Sequence, residues 1–214
     1  MPMTLKTLPR EFVISLAMLL AIAVSVRFID STLARTLADA HLARAWLTRD
    51  LFRLPVLVVL AYAALAVGLA HLVARRPLPR WAVAGMLAGL ALVVSLALVE
   101  NVLKPLFGRT IPSVYLRSGR GGFHWFHAGW PFQSFPSGHA VQATAIIAVF
   151  WHFYPRGRWF YAATLVLLAA ALMLGRWHFL GDILAGGFIG AWAGVLVIRG
   201  WGLIGPALAR RRAT

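Results

Sequence analysis

Apolar positions along the 214 residues gather into six long runs, at about 12–29, 54–74, 81–103, 138–154, 159–175 and 179–198. Each run approaches the roughly 20 apolar residues that a helix needs to cross a hydrocarbon core. Inside a bilayer every backbone polar group must find its partner within the segment, so the runs predict helices and not open strands. The expected fold is all-α, a bundle of six transmembrane helices forming one membrane-embedded domain over residues 1–214. The first run is long for a signal peptide, and the A-x-A-like site Ala38-Asp39-Ala40 lies far past it, so it is read as a retained helix. Leu33, Leu37, Ala40 and Leu47 recur at helical spacing and predict a short interfacial helix over 31–48.

Composition sharpens this picture. The chain is 61% hydrophobic and 13% charged, where soluble domains run near half apolar and about a quarter charged. A net charge of +15 raises the question of nucleic acid. The basic residues form no single face, however, and nucleic acid is excluded as a partner. They sit in short sets between the apolar runs: Lys6 and Arg10; Arg75, Arg76 and Arg80; Arg156 and Arg158; Arg199, Arg210, Arg211 and Arg212. The positive-inside rule places all four sets in the cytoplasm, with both termini, and leaves residues 30–50, 104–137 and 176–178 on the opposite side. There is no cysteine, hence no disulfide, thiol nucleophile or thiolate metal site.

Residues 104–137 are too long and polar for a mere connector, and long loops of this kind are usually functional. Three clusters fall on the same predicted side. Lys104-Pro105-Leu106-Phe107-Gly108-Arg109-Thr110-Ile111-Pro112 ends the third run. Ser134-Phe135-Pro136-Ser137-Gly138-His139 opens the fourth, and Gly175-Arg176-Trp177-His178-Phe179-Leu180-Gly181-Asp182 opens the sixth. A helix N-terminus binds anions through its unpaired N–H groups, a task suited to Ser137 and Gly138. Lys104, Arg109 and Arg176 supply cations for phosphoryl oxygens. His178 and Asp182 are four apart, so a helix would set them on one face, the carboxylate holding Nδ1–H and freeing the other ring nitrogen to attack. His139 is placed to protonate a leaving oxygen.

These clusters resemble the type 2 phosphatidic acid phosphatase (PAP2) superfamily, whose pattern is K-x6-R-P, then P-S-G-H, then S-R-x5-H-x3-D. Pro136-Ser137-Gly138-His139 matches in full, His178 and Asp182 match H-x3-D, and Lys104 and Pro112 match the ends of the first motif. The likeness covers about residues 100–190. It implies a bacterial inner-membrane lipid phosphatase with its active site at the extracytoplasmic, periplasmic helix ends. It further implies hydrolysis without metal or cofactor, with catalytic His178, His139 and Asp182 and a phosphohistidine intermediate. The substrate would be a lipid phosphate or diphosphate, such as undecaprenyl diphosphate, phosphatidylglycerol phosphate, phosphatidic acid or lipid A. Two family arginines are replaced, by Ile111 and Leu172; Arg109 and Arg176 are expected to take over their phosphate contacts. A phosphotransferase with the same intermediate, and a transporter or scaffold that kept the fold, are the alternative functions.

Other residues receive plainer readings. His41, His71 and His152 are not catalytic, and His124 and His127 are structural. Glu100 pairs with Lys104 or tunes it, and Asn101 bonds between helices. Gly186, Gly190 and Gly194 permit close helix packing. Trp125, Phe126, Trp130, Phe132 and Phe135 form an interfacial belt.

Overall fold

A computed structural model describes residues 10–40, 56–74 and 76–210, with side chains to Gly205. Lys6, His41, Leu47, Arg75, Arg211, Arg212 and the Arg210 side chain lie outside this description. Every regular element among the described residues is helical. Helix α1 (Arg10–Val24) passes through a π turn (Ser25–Ile29) into α2 (Asp30–Asp39), and α3 spans Val56–Val73. Helix α4 (Arg80–Leu98) continues through a second π turn (Val99–Leu103) into α5 (Lys104–Phe107). Then come α6 (Pro112–Ser118), α7 (Gly138–Phe153), α8 (Arg158–Leu174) and α9 (Leu180–Arg210).

Five helical stretches among the described residues are long and apolar enough to cross a membrane: Arg10–Asp39, Val56–Val73, Arg80–Phe107, Pro155–Leu174 and Leu180–Gly205. Helix α7, expected as a sixth crossing over 138–154, has 16 residues. The expected break near residue 30 is absent, because the π turn absorbs it and carries α1 into α2 as one 30-residue stretch. The start of the expected interfacial helix is thus the end of the first membrane helix, and the rest of it lies outside the described residues. The 104–137 loop also contains α6, which no apolar run announced.

Small residues set the packing. Helix α4 is the most enclosed, burying Ala82, Ala84, Ala88, Gly89 and Ala91 along with Leu87 and Leu92. In a bilayer, where lipid is as apolar as leucine, close backbone approach is what binds helices together. The glycine stripe of α9 shows this against α7. A methyl on Gly186 would meet the Ser137 carbonyl oxygen at 2.3 Å, and one on Gly190 the Val141 carbonyl oxygen at 2.4 Å. The packing role expected of Gly186, Gly190 and Gly194 is what these contacts require.

Polar links fix which ends meet. Arg80, opening α4, donates to the carbonyl of Phe153, closing α7. Glu11 of α1 pairs with Arg199 of α9 at 2.5 Å. The start of α1, the start of α4, the end of α7 and Arg199 therefore share one end of the bundle. Asp30, Lys104, Gly138 and Asp182 share the other.

Candidate active site

The loop between α5 and α7 is folded by its own backbone. Gly108, in the left-handed region at φ 54, closes α5, and a side chain there would collide with the His124 carbonyl oxygen at 1.9 Å. Beyond it Thr110 N–H donates to Gly122, Ile111 N–H to Pro131 and Ser134 N–H to Arg109, at 3.0–3.1 Å. Phe107, Phe123 and Phe135 meet edge to face inside this loop. Phe135 is buried with Ile22 and Ala185, so it belongs to the core and not to an interfacial belt. Trp125, Phe126 and Trp130 are exposed. His124 and His127 pack on Phe132 and do not line the cleft described below.

At the centre lies Asp182, fully buried in the first turn of α9. Its Oδ1 accepts from Arg109 at 2.6 Å, and its Oδ2 accepts from the Ser134 hydroxyl at 2.6 Å and the Phe179 N–H at 2.8 Å. The carboxylate thus caps the helix it belongs to, as acidic residues near a helix start do, and also ties the loop to it.

His178 lies before α9 and not on it, which changes the expected pairing. Its Nδ1 is 2.8 Å from the Ser134 carbonyl oxygen and 3.8 Å from Asp182 Oδ2. A carbonyl can only accept, so Nδ1 carries a proton, and the neutral ring then has its lone pair on Nε2. The orientation expected from Asp182 is supplied by Ser134 through its backbone, while the Ser134 hydroxyl holds Asp182. Ser134 stood in the second cluster without an assigned role. A backbone acceptor leaves no mark in a sequence, which is why it went unremarked.

Arg109, expected on a phosphoryl group, is used elsewhere. Its side chain is 6% exposed, and the guanidinium reaches Asp182 at 2.6 Å and Asp30 at 2.8 Å and stacks over Phe179 and Phe123. Burial opposes its charge, but attraction to Asp182 and then Asp30 outweighs that and raises its pKa above the ordinary value. A cation flanked by two buried carboxylates serves those carboxylates. Asp30 is not among the site residues that the sequence predicts; its one signal there is an acid at the edge of an apolar run.

A cleft of about 180 Å³ is lined by Glu100, Lys104, Gly138, His139 and His178, with Gln133, Gln142, Trp130 and Trp177 around them. That is several times the roughly 30 Å³ of one water, enough for a phosphoryl group and an attacking water. The rings of His139 and His178 stand 6.0 Å apart, centroid to centroid. Lys104 and Glu100 pair at 2.6 Å. Gly138 lets Glu100 approach closely, since a methyl there would lie 2.5 Å from Glu100 Oε1 and would push that side chain aside. An anionic carboxylate therefore already rests against the N-terminus of α7. The Ser137 N–H, expected to face an anion, donates instead to the Asp182 carbonyl at 3.0 Å, and the Ser137 hydroxyl caps α7 by accepting from Ala140 N–H.

Arg176 does not line this cleft. It borders a narrow slot on the other side of His178, with Asp30, Pro112 and Leu116. It occupies the left-handed position (φ 57) of a C-terminal turn on α8, where Trp177 N–H reaches Leu172 and Arg176 N–H reaches Met173. Glycine usually sits there, so an arginine carries strain of about 1–2 kcal/mol. Its Nε is buried without a hydrogen-bond partner. Leu172, where the family pattern has an arginine, is fully buried against Ala140 and Ile183. Among the described residues no group of three or more His, Asp or Glu is placed to hold a metal ion.

The PAP2 superfamily profile matches residues 84–204. A protein named lipid A 1-phosphatase from Rhizobium johnstonii is 34% identical over 104 residues, covering 49% of this chain and 43% of that protein. Another of the same name from Rhizobium etli is 33% identical over 104 residues, covering 49% and 45%. The matched stretch thus spans less than half the length of these relatives. No solved structure gives a significant match.

Proposed function

The chain belongs to the PAP2 superfamily, and on that premise we propose that it removes a phosphate from a membrane lipid through a phosphohistidine on His178. One observation carries the reading: Nδ1 of His178 is held as a donor by the Ser134 carbonyl at 2.8 Å, on a ring that lines the same cleft as Lys104 and His139. Nε2 attacks phosphorus, the P–O bond to the lipid breaks, and His139 gives the leaving oxygen its proton. Lys104 and the first turn of α7 neutralise the phosphoryl oxygens. Glu100 occupies that place before substrate arrives and must yield Lys104 to it. Water then attacks the phosphorus and the N–P bond breaks. An acceptor other than water would make the same protein a phosphotransferase.

The relatives' printed name favours lipid A, a phosphorylated glycolipid, among the candidate substrates. We place α7 as a sixth crossing. At 1.5 Å per residue its 16 residues rise about 24 Å, short of the roughly 30 Å hydrocarbon thickness. Gly138 and the cleft would then sit slightly below the membrane surface, within reach of a lipid phosphate. Arg80, Arg158 and Arg199 belong to the far end of the bundle, which favours cytoplasmic termini and a periplasmic site.

The test uses the full chain in detergent with four substrates: lipid A, phosphatidic acid, phosphatidylglycerol phosphate and undecaprenyl diphosphate. Wild type releases phosphate from at least one, lipid A foremost. His178→Ala falls by roughly 1000-fold or more, as loss of a covalent nucleophile does. Release from none of the four, or His178→Ala within about tenfold of wild type, would sink the reading.

A further inference from the structure

We propose that Asp30, on the first membrane helix and outside the family-matched region, is a positioning residue whose negative charge supports the cationic phosphohistidine formed on His178. The proposal rests on the phosphohistidine reading above and adds a residue to it.

The geometry comes first. Asp30 is 2% exposed. Its Oδ1 accepts from the Ser25 hydroxyl at 2.8 Å and from Gly181 N–H at 2.9 Å, and its Oδ2 lies 2.8 Å from Arg109 Nη2. Gly181 lies between His178 and Asp182, so the first helix is bound directly to the segment that carries the nucleophile. The π turn at Ser25–Ile29 immediately precedes Asp30. A second π turn immediately precedes Lys104. Such turns recur at functional sites, where they redirect the residues that follow.

The charge count decides what this link is for. Asp182 and Arg109 alone are a neutral pair. A second buried carboxylate brings these three groups to −1, which in a low-dielectric interior is costly unless a cation stands near; Arg176 borders the same slot but, among the described residues, the ion pair to Asp30 comes from Arg109. A buried acid with two hydrogen bonds and one ion pair, on an apolar helix, calls for a use. The imidazole of His178 stands 3.8 Å from Asp182. Once Nε2 bonds to phosphorus while Nδ1 keeps its proton on the Ser134 carbonyl, the ring carries +1. The electron pair of the broken P–O bond leaves with the lipid oxygen, which takes its proton from His139. The cluster and the ring then sum to zero. When water displaces the histidine, the ring returns to neutral and the sum to −1. Asp30 therefore favours the phosphorylation step, and its loss should not slow hydrolysis of the adduct.

A structural residue would behave differently, and single-turnover kinetics separate the two. The full-length protein in detergent is mixed with the lipid phosphate that wild type hydrolyses fastest, and the acid-labile phosphohistidine is followed in time. Asp30→Asn is expected to lower the rate of adduct formation by about 10- to 100-fold, the range seen when the outer partner of a metal-ligating histidine is removed. KM should stay within about threefold, and hydrolysis of adduct already formed should not slow. Asp30→Asn with Arg109→Gln removes one charge of each sign and restores the cluster to −1. It is expected to form adduct at least several-fold faster than Asp30→Asn. Wild-type rates in Asp30→Asn, equal slowing of both steps, or a double variant no faster than the single would overturn the proposal. If Asp30→Asn does not fold, the double variant alone decides by the rate at which it forms adduct. Failure of both to fold makes Asp30 purely structural and also overturns it. An inactive wild type would instead count against the phosphatase reading, which keeps the two failures apart.

Discussion

The two ends of the helical bundle use charge in opposite ways. At one end Asp30, Arg109 and Asp182 are buried, and each has two or more polar partners. At the other, Glu11 and Arg199 form one ion pair with both side chains 55% exposed, and Arg80 donates to a single carbonyl. Water and lipid headgroups can replace an exposed partner at little cost, whereas a buried charge that loses its partner has nothing to take its place. The buried end is therefore where one substitution should reach both stability and chemistry. The exposed end tolerates change.

The largest effect is expected at Asp182. Asp182→Asn leaves Ser134, Phe179 N–H and Arg109 facing an amide, and a broken buried pair of this kind costs about 3–5 kcal/mol. Turnover should fall by at least roughly 100-fold, because His178 and Ser134 lose their shared anchor. Thermal unfolding in detergent and phosphate release measure the two. A stability loss below about 1 kcal/mol would mean that the buried end is no more dependent on pairing than the exposed one.

Ser134→Ala sharpens the comparison. It deletes the hydroxyl that donates to Asp182 Oδ2 and keeps the carbonyl that holds His178. A hydrogen bond to a charged group contributes about 1.5–3 kcal/mol, so turnover should fall by roughly 10- to 100-fold while the phosphohistidine still forms. Disappearance of the adduct would show that the hydroxyl, and not the carbonyl, governs the nucleophile.

The smallest effect belongs to the exposed pair. Glu11→Gln should change stability by no more than about 1 kcal/mol, less at high salt, and leave phosphate release unaltered. A loss comparable to that of Ser134→Ala would erase the distinction between the two ends.

Much of this could be read from local pattern. Runs of about 20 apolar residues have one sensible conformation in a bilayer, so the helices at 54–74, 81–103 and 159–175 lie within a few residues of their observed places. The stripe Gly186, Gly190 and Gly194 announces close packing because only hydrogen side chains allow backbones to touch. Pro136-Ser137-Gly138-His139 announces a helix start because each residue type has a reason to stand there. Boundaries were less legible where a π turn carried a helix past its apolar run, at Asp30 and at Lys104.

Assembly in three dimensions settled the partners. Arg109 looks like a phosphate ligand on the chain, two residues from Ile111; in the fold it lies between Asp182, 73 residues away, and Asp30. His178 and Asp182 have the spacing of a helical pair, yet the ring finds the Ser134 carbonyl, a group every residue possesses. Periodicity is a property of neighbours along the chain and survives in the sequence. The pairing of buried charges depends on which helix ends meet, and the strength of that pairing comes from the exclusion of water, which no stretch of chain achieves alone.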